Sequence, residues 1–304
     1  MTVTIGIPTY NRKDLLRIMA TSLYESDLSM NHNIRIYDDR SVEYGIDELR
    51  EIFPTAVSIK RNEINLKADK NMYQMYSDFI KTGDDYFFNA DSDILFNKDW
   101  LNKSMKLAAK TQGVLSLFNA ASHKTYKEID DNLVLKKDVG AAGTLFTKER
   151  MLELLRYFNS MDKVKGFDWQ WCEYFTGNNV PIFCVKESLV QHIGYTGQNV
   201  RYFFDFGRNY KIQSIREGQI VNDIFEKTMD NILEIDTTRI KIEKEREKLE
   251  NSFLYHLRRC LAIAIKLIIP EKLYQMMKRK IGSKKNGTYP NSNRTESSQP
   301  NKNT

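Results

Sequence analysis

Asp91-Ser92-Asp93 stands directly after Tyr86-Phe87-Phe88-Asn89-Ala90, a nearly unbroken apolar run. Two carboxylates at the end of such a run are costly unless they are paired or bind a metal. One can hold a divalent ion while the other orients sugar hydroxyls. Mg2+ and Mn2+ favour oxygen ligands and often keep phosphate oxygens in their shell, so a diphosphate is the anion this arrangement suits. The competing reading is a solvated turn. A second acidic pair, Asp38-Asp39, follows the strand-like Ile34-Arg35-Ile36-Tyr37, and Pro8-Thr9-Tyr10-Asn11-Arg12 follows Val3-Thr4-Ile5-Gly6-Ile7. Taken singly, an acidic pair in such a place is commonly a helix cap or a turn. His192 lies in Val190-Gln191-His192-Ile193-Gly194 and is one of only four histidines. An imidazole so placed is either a ligand for an Mn2+-type ion or a satisfied core residue. Gly140-Ala141-Ala142-Gly143 would let a ligand approach the backbone closely, or simply turn the chain.

These groups fall at the ends of predicted elements. Alternation and turn residues predict strands at 3–8, 34–37, 57–59, 86–90, 114–118, 143–147 and 181–185. Apolar residues at helical spacing predict helices at 11–26, 45–52, 67–81, 148–158 and 168–176, the first capped by Asn11 with Asp14 in its first turn. Strands alternating with helices imply an α/β, Rossmann-like, mostly parallel sheet with helices on both faces. Ligands of such open sheets bind beyond the carboxyl ends of the strands, which gathers the motifs after three of these strands on one edge.

The chain has 304 residues, enough for one large domain with an appendage. Three cysteines, Cys172, Cys184 and Cys260, are too few for a disulfide framework and fit a reducing compartment. The opening Met1-Thr2-Val3-Thr4 lacks the charged-then-apolar layout of a signal peptide, and no run of 18 uncharged apolar residues occurs, so a cytoplasmic protein is expected. Residues 252–304 carry eleven Lys or Arg against two Glu. The net charge of +6 therefore divides into a mildly acidic body and a basic C-terminal stretch.

With "IGIPTYNR", "YDDRS", "FNADSD" and "LVQHIG" in this order and at this spacing, the sequence over residues 1–210 resembles the family 2 glycosyltransferases, which have the GT-A fold. The resemblance implies a metal-dependent, inverting transfer from a nucleotide diphosphate sugar, usually a UDP-sugar, to a glycan, lipid-linked or protein acceptor, in the synthesis of a surface polysaccharide, lipopolysaccharide or glycoprotein glycan. It implies that Pro8, Thr9, Tyr10 and Arg12 line the nucleotide pocket. Asp39 would read the base with Asp38 beside it, and Asn65, Lys67, Lys70 and Asn71 would lie along the nucleotide and diphosphate. Asp91, with Ser92 beside it, would orient ribose or donor sugar, while Asp93 and His192 would hold Mn2+ or Mg2+. An inverting displacement needs one base for the acceptor hydroxyl. The resemblance gives that role to Asp168, where the family often has a Glu-Asp pair and this chain has Phe167-Asp168. Asp168 could equally be a helix N-cap. Trp169 and Trp171 would pack a sugar face or the core, and Gly140 and Ala141 would border donor sugar and acceptor. The family's glycine-rich segment after the third strand reads Asn62-Glu63-Ile64-Asn65-Leu66-Lys67 here.

The expected organisation is a catalytic domain over 1–215, with the nucleotide-sugar half at about 1–95 and the acceptor half at about 96–215. A helical extension follows at 216–281, then a disordered polar tail at 282–304. Within the extension, Leu254, Leu257, Leu261, Ala264, Ile265 and Ile268 share one helical side, with Arg258, Arg259 and Lys266 reaching outward. Pro270 interrupts it, and residues 272–281 add Lys278-Arg279-Lys280. An apolar face with basic flanks suits either an anionic membrane surface on the inner face of the cell membrane, reached through 253–281, or a homodimer. Two other functions compete with this reading. A sugar-phosphate nucleotidyltransferase would carry a glycine-rich loop after its first strand, which Pro8-Thr9-Tyr10-Asn11-Arg12-Lys13-Asp14 does not. A nucleic-acid binder using the basic tail conflicts with the acidic body, so no nucleic acid is expected.

Overall fold

The structure, a computed structural model describing residues 1–161, 166–194 and 205–268, rests on alternation along central strands. Its elements in chain order are β1 (Val3–Thr9), α1 (Lys13–Glu25), β2 (His32–Asp38), α2 (Ile46–Ile52), β3 (Ser58–Arg61), α3 (Lys67–Phe79), β4 (Tyr86–Asn89), β5 (Ile94–Phe96), α4 (Trp100–Ala108), β6 (Val114–Ser116), β7 (Thr125–Glu128), β8 (Leu133–Lys136), β9 (Thr144–Thr147), α5 (Lys148–Asn159), α6 (Phe167–Gly177), β10 (Ile182–Val185), β11 (Val190–His192) and α7 (Ile215–Ile268). The main sheet has the order β3-β2-β1-β4-β9-β6-β10-β8-β7. Its pairings run seven of these nine strands in one direction, with β9 and β8 opposed. This is the α/β, mostly parallel sheet expected from the sequence.

Successive side chains point to opposite faces of a strand, and the core divides accordingly. Phe88 and Leu145 join one apolar cluster with Leu16, Met19 and Leu23 of α1, Leu49 of α2 and Trp100 of α4. Their neighbours Phe87 and Phe146 join the other, with Met75, Tyr76 and Phe79 of α3, Leu154 of α5 and Trp171 of α6. Helices therefore cover both faces. Gly6, in the central strand β1, is required by this packing. A Cβ there would come within 2.5 Å of the Phe87 ring and 2.8 Å of Met75 Sδ.

Several short elements escape the sequence reading. β7 is exposed at all four positions, and β5 has only three residues, so neither shows a period-two signal. β5 pairs antiparallel with β11 in a separate ribbon that matches His192 to Ile94. Asn11 does not cap α1. The helix begins at Lys13 behind Arg12, and both Asn11 and Arg12 are left-handed, at φ 53° and 58°. Asn11 Oδ1 instead accepts the amide of Val42 at 2.8 Å.

The compact first unit spans Met1–Leu233. It includes the first turns of α7, where Glu217, Val221, Ile224 and Thr228 are buried. The second unit, Glu234–Thr304, is described as far as Ile268, along α7. There Arg239–Glu243 and Arg246–Glu250 form i,i+4 pairs, and Leu249, Phe253, Leu254, Leu257 and Leu261 are exposed. Among the described residues no helix is long and apolar enough to cross a membrane. The expected disordered tail at 282–304 and the basic stretch at 272–281 lie outside the described residues.

Candidate active site

β1, β2 and β4 end side by side, and their carboxyl ends carry the polar motifs. The loops after β1 and β2 are laced together. Asn11 N donates to Ser41 Oγ at 2.8 Å, Asp39 N donates to the Thr9 carbonyl at 2.9 Å, and the buried Tyr44 hydroxyl bonds Thr9 Oγ1 and the Asn11 carbonyl. Four non-glycine residues of these loops and of the start of α3 have positive φ: Asn11, Arg12, Arg40 and Lys67. Such backbone is disfavoured for L-residues and persists where surrounding bonds fix it, a pattern that clusters at functional sites.

The two acids after β2 have different tasks. Asp38 is fully buried, and its carboxylate accepts from Ser41 N at 3.1 Å, Ser41 Oγ at 2.5 Å and Arg61 Nη1 at 2.6 Å. It holds the loop beside Asp39, with both oxygens already accepting hydrogen bonds. Asp39 uses Oδ1 to accept from Asn62 Nδ2 at 3.0 Å and Leu66 N at 2.7 Å. Among the described residues no hydrogen bond reaches its Oδ2. Asn71 is likewise internal, donating to the Tyr37 carbonyl and accepting from Asn62. Burial removes it from the expected phosphate contacts. Asn65 braces the turn between the Asp39 carbonyl and Lys67 N. Lys67 and Lys70 project into solvent, as does Tyr10, and Pro8 is half-buried.

Asp93 is the centre of the site. It is 3% exposed, and its two oxygens face two basic groups. Arg12 Nη1 donates to Oδ2 at 2.6 Å, and Arg12 Nη2 reaches Ser92 Oγ at 3.2 Å. His192 Nε2 lies 3.3 Å from Oδ1, yet among the described residues that buried oxygen has no well-formed hydrogen bond. The β5–β11 ribbon brings the imidazole there, with Ile193 N donating to the Asp93 carbonyl at 2.8 Å. Gly194 leaves room for the carboxylate, since a Cβ would sit 2.3 Å from Oδ2. Burial works to raise the Asp93 pKa, but His192 and Arg12 outweigh it and hold the carboxyl below its usual range. Burial, then the Asp93 charge, pushes Asp91 up to about 6. Asp91 Oδ1 accepts from Asn89 Nδ2 at 2.6 Å. His192 is raised by Asp93 and Asp91 against a burial effect that lowers it.

An orphaned, fully desolvated carboxylate oxygen beside an imidazole fits a divalent cation whose remaining positions are filled by water or phosphate. Asp93 and His192 would be its protein ligands. Among the described residues no cluster of three or more His, Cys, Asp or Glu side chains forms a closed metal cage.

Asp168 lies in the first turn of α6. Asp69 of α3 places that turn by accepting from Gly166 N and Phe167 N, each at 3.2 Å. Gly166 is left-handed at φ 68°. Tyr76, completely buried and among the described residues with no partner for its hydroxyl, is raised first by burial and then by both Asp91 and Asp168. The two carboxylates thus act on one residue between α3, β4 and α6. The tryptophans separate. Trp171 is fully buried edge-on to Phe146 at 5.3 Å, so packing excludes it from contact with sugar, whereas Trp169 is 48% exposed. At Gly140 a Cβ would meet nothing within 4 Å. The crowded position is Gly143, at φ 72°, where a Cβ would sit 2.6 Å from Val190 Cγ2. Ala141 is half-buried, and its carbonyl accepts from Thr144 N. Sequence reading missed Arg61, Asp69 and Tyr76, which stand in none of its motifs, and quoted Gly194 within the His192 motif without a role.

The sequence model of glycosyl transferase family 2 matches residues 4–164. Among solved structures, the chain is similar to S. aureus TarS 1–349 in complex with UDP-GlcNAc, at 14% identity and TM-score 0.45, over 62% of this chain and 56% of that one. A further S. aureus TarS structure aligns at 14% identity and TM-score 0.40, over 51% of this chain and 30% of that one. The mannosyltransferase PcManGT from Pyrobaculum calidifontis, in complex with GDP-Man and Mn2+, aligns at 19% identity and TM-score 0.41, over 55% of this chain and 49% of that one. The chain spans less than two thirds of each of these three. No curated protein matches it.

Proposed function

Because the chain belongs to glycosyl transferase family 2, we propose that this glycosyltransferase moves a hexose-type sugar from a UDP-sugar to a hydroxyl acceptor, with inversion and with help from Mn2+ or Mg2+. The observation that carries the reading is the Arg12–Asp93–His192 array at the carboxyl ends of the strands. It joins a guanidinium, a desolvated carboxylate and an imidazole where a diphosphate would lie in an open sheet.

The resemblance and the contacts described above support the following division of labour. Asp39, through Oδ2, would accept from the base, with Asp38 and Arg61 holding its loop. Thr9, Tyr10 and Arg12 would border the nucleotide, and Lys67 and Lys70 would meet phosphate from the exposed start of α3. Asp91 and Ser92 would orient ribose or donor sugar. A bound divalent ion, held by Asp93 and His192, would supply charge stabilisation to the leaving diphosphate. Asp168 would take the acceptor proton as that oxygen attacks the anomeric carbon. Residues 1–215 would carry this chemistry, with the donor half over about 1–95.

Donor binding is testable without an acceptor. UDP with Mn2+ is expected to raise the melting temperature of the full chain by several degrees, and UDP with EDTA by much less. The same titration with GDP and TDP sets the base preference. No shift with any of the three nucleotides would remove the donor reading.

We further propose that the protein works at the cytoplasmic face of the membrane, on a lipid-linked or surface glycan. The exposed apolar side chains of α7 from Leu249 to Leu261, and the basic residues beyond them, support this. Each basic residue near an anionic surface contributes on the order of 1 kcal/mol. The full chain should co-sediment with phosphatidylserine vesicles at low salt and be released at high salt. If it stays in the supernatant and sediments as a dimer in the ultracentrifuge, a second copy is the partner of this face.

A further inference from the structure

The loop before β7 holds one buried side chain in an exposed run. Ala121, Ser122, Lys124 and all of β7 face solvent, whereas the His123 side chain is 7% exposed. His123 Nδ1 lies 3.1 Å from Asp138 Oδ1, and its ring sits against Trp169, with centroids 6.0 Å apart at 44°. A carboxylate on Nδ1 fixes the tautomer with Nδ1–H donating, which leaves Nε2 as a hydrogen-bond acceptor. Trp169 directly follows Asp168 on α6. The Asp138 segment is fastened to the same helix, because Val139 N and Val139 O both lie 3.4 Å from Cys172 Sγ. The Cys172 thiol, pushed to about 12 chiefly by burial, also feels both Asp168 and Asp138. Imidazole, exposed indole and candidate base therefore all lie at the start of α6. His123 and Asp138 take no part in the donor or ion contacts described above.

We propose that Asp138, His123 and Trp169 form a carbohydrate subsite for the acceptor, in which a pyranose ring lies on the exposed face of Trp169 and donates one hydroxyl to His123 Nε2. A rigid indole offers a large apolar surface to the C–H face of a sugar. An imidazole nitrogen held as an acceptor at the edge of that surface favours a hydroxyl, which can donate to it, over an apolar group. The inference rests on the transferase reading and extends it from donor to acceptor.

The test uses the protein's own fluorescence. Trp100 and Trp171 are fully buried, so among the three tryptophans acrylamide quenching reports on Trp169. The probes are the methyl glycosides of glucose, galactose, mannose and N-acetylglucosamine, with ribitol as an acyclic polyol. At least one glycoside should lower quenching saturably. His123→Phe, which keeps a ring against Trp169 but removes both nitrogens, should weaken that protection by about tenfold, the equivalent of one hydrogen bond. Asp138→Asn, at a half-exposed position, should weaken it as well and serves if the His123 variant does not fold. No protection by any glycoside, equal protection by ribitol, or unchanged affinity in the folded variants overturns the subsite. The UDP and Mn2+ melting shift, measured on the same preparations, separates the two failures. A shift without glycoside protection overturns the subsite alone, glycoside protection without a shift overturns the donor reading alone, and loss of both overturns both.

Discussion

Asp93→Asn should lower transfer by a factor of about 10³ or more, on the scale of several kcal/mol of charge stabilisation lost at the leaving diphosphate. The substitution is nearly isosteric and keeps one acceptor oxygen for Arg12, which donates to Oδ2 at 2.6 Å. It removes the charge that faces His192 Nε2 across 3.3 Å. Folding should survive, because Arg12 is partly exposed and water can solvate its guanidinium once the pair is weakened. The diagnostic result is therefore a split: turnover collapses and the Mn2+ contribution to the UDP melting shift disappears, while the ligand-independent melting temperature moves only a few degrees. EDTA should reproduce the loss of turnover in the parent chain. Full activity in EDTA, or an Asp93→Asn variant that transfers normally, would falsify the assignment of Asp93 and His192 as ion ligands.

Asp168→Asn should cut turnover by about 10²–10⁴, the range for removing a group that moves a proton in the transition state. Asn keeps an oxygen for Trp169 N, which Asp168 Oδ1 accepts at 3.0 Å, so the first turn of α6 is expected to hold. Its position is also fixed from outside, by Asp69 accepting from Gly166 N and Phe167 N. UDP binding should be retained, and the loss should appear in kcat more than in the donor KM. A single displacement assisted by one carboxylate inverts the anomeric centre. An α-linked UDP-sugar should thus give a β-linked product, visible in the proton coupling of the new anomeric signal. An α-linked product would show that Asp168 does not work as the base of a single displacement.

The resemblance of four short motifs suggested these two carboxylates, but it did not show what surrounds them. Nothing in "FNADSD" reveals that one oxygen of Asp93 meets Arg12 from eighty-one positions earlier and the other faces His192 from a ribbon formed by β5 and β11. Those strands have three residues each, too short for any period to emerge. Asp38 and Asp39 look alike in the sequence. They differ because Arg61, on the neighbouring strand β3, reaches only Asp38.

What the sequence determined by itself was the pattern of burial along the strands. Ile5, Ile7, Ile34 and Ile36 demand cover on one face of the sheet, and Phe87, opposite to Phe88, demands it on the other. Once those strands are parallel, their carboxyl ends must lie together, and so must the motifs that follow them. That information is local, carried by side chains two to four residues apart. Which polar groups then meet was decided only by tertiary structure. Trp169 and Trp171 are two residues apart on α6, yet helix geometry turns one toward solvent and the other into Phe146. His123 gives no signal in an exposed loop until Asp138 and Trp169 close around it. Such pairings depend on the register and tilt of separate elements, and a hydrogen bond resolves fractions of an ångström that no spacing along a chain can encode.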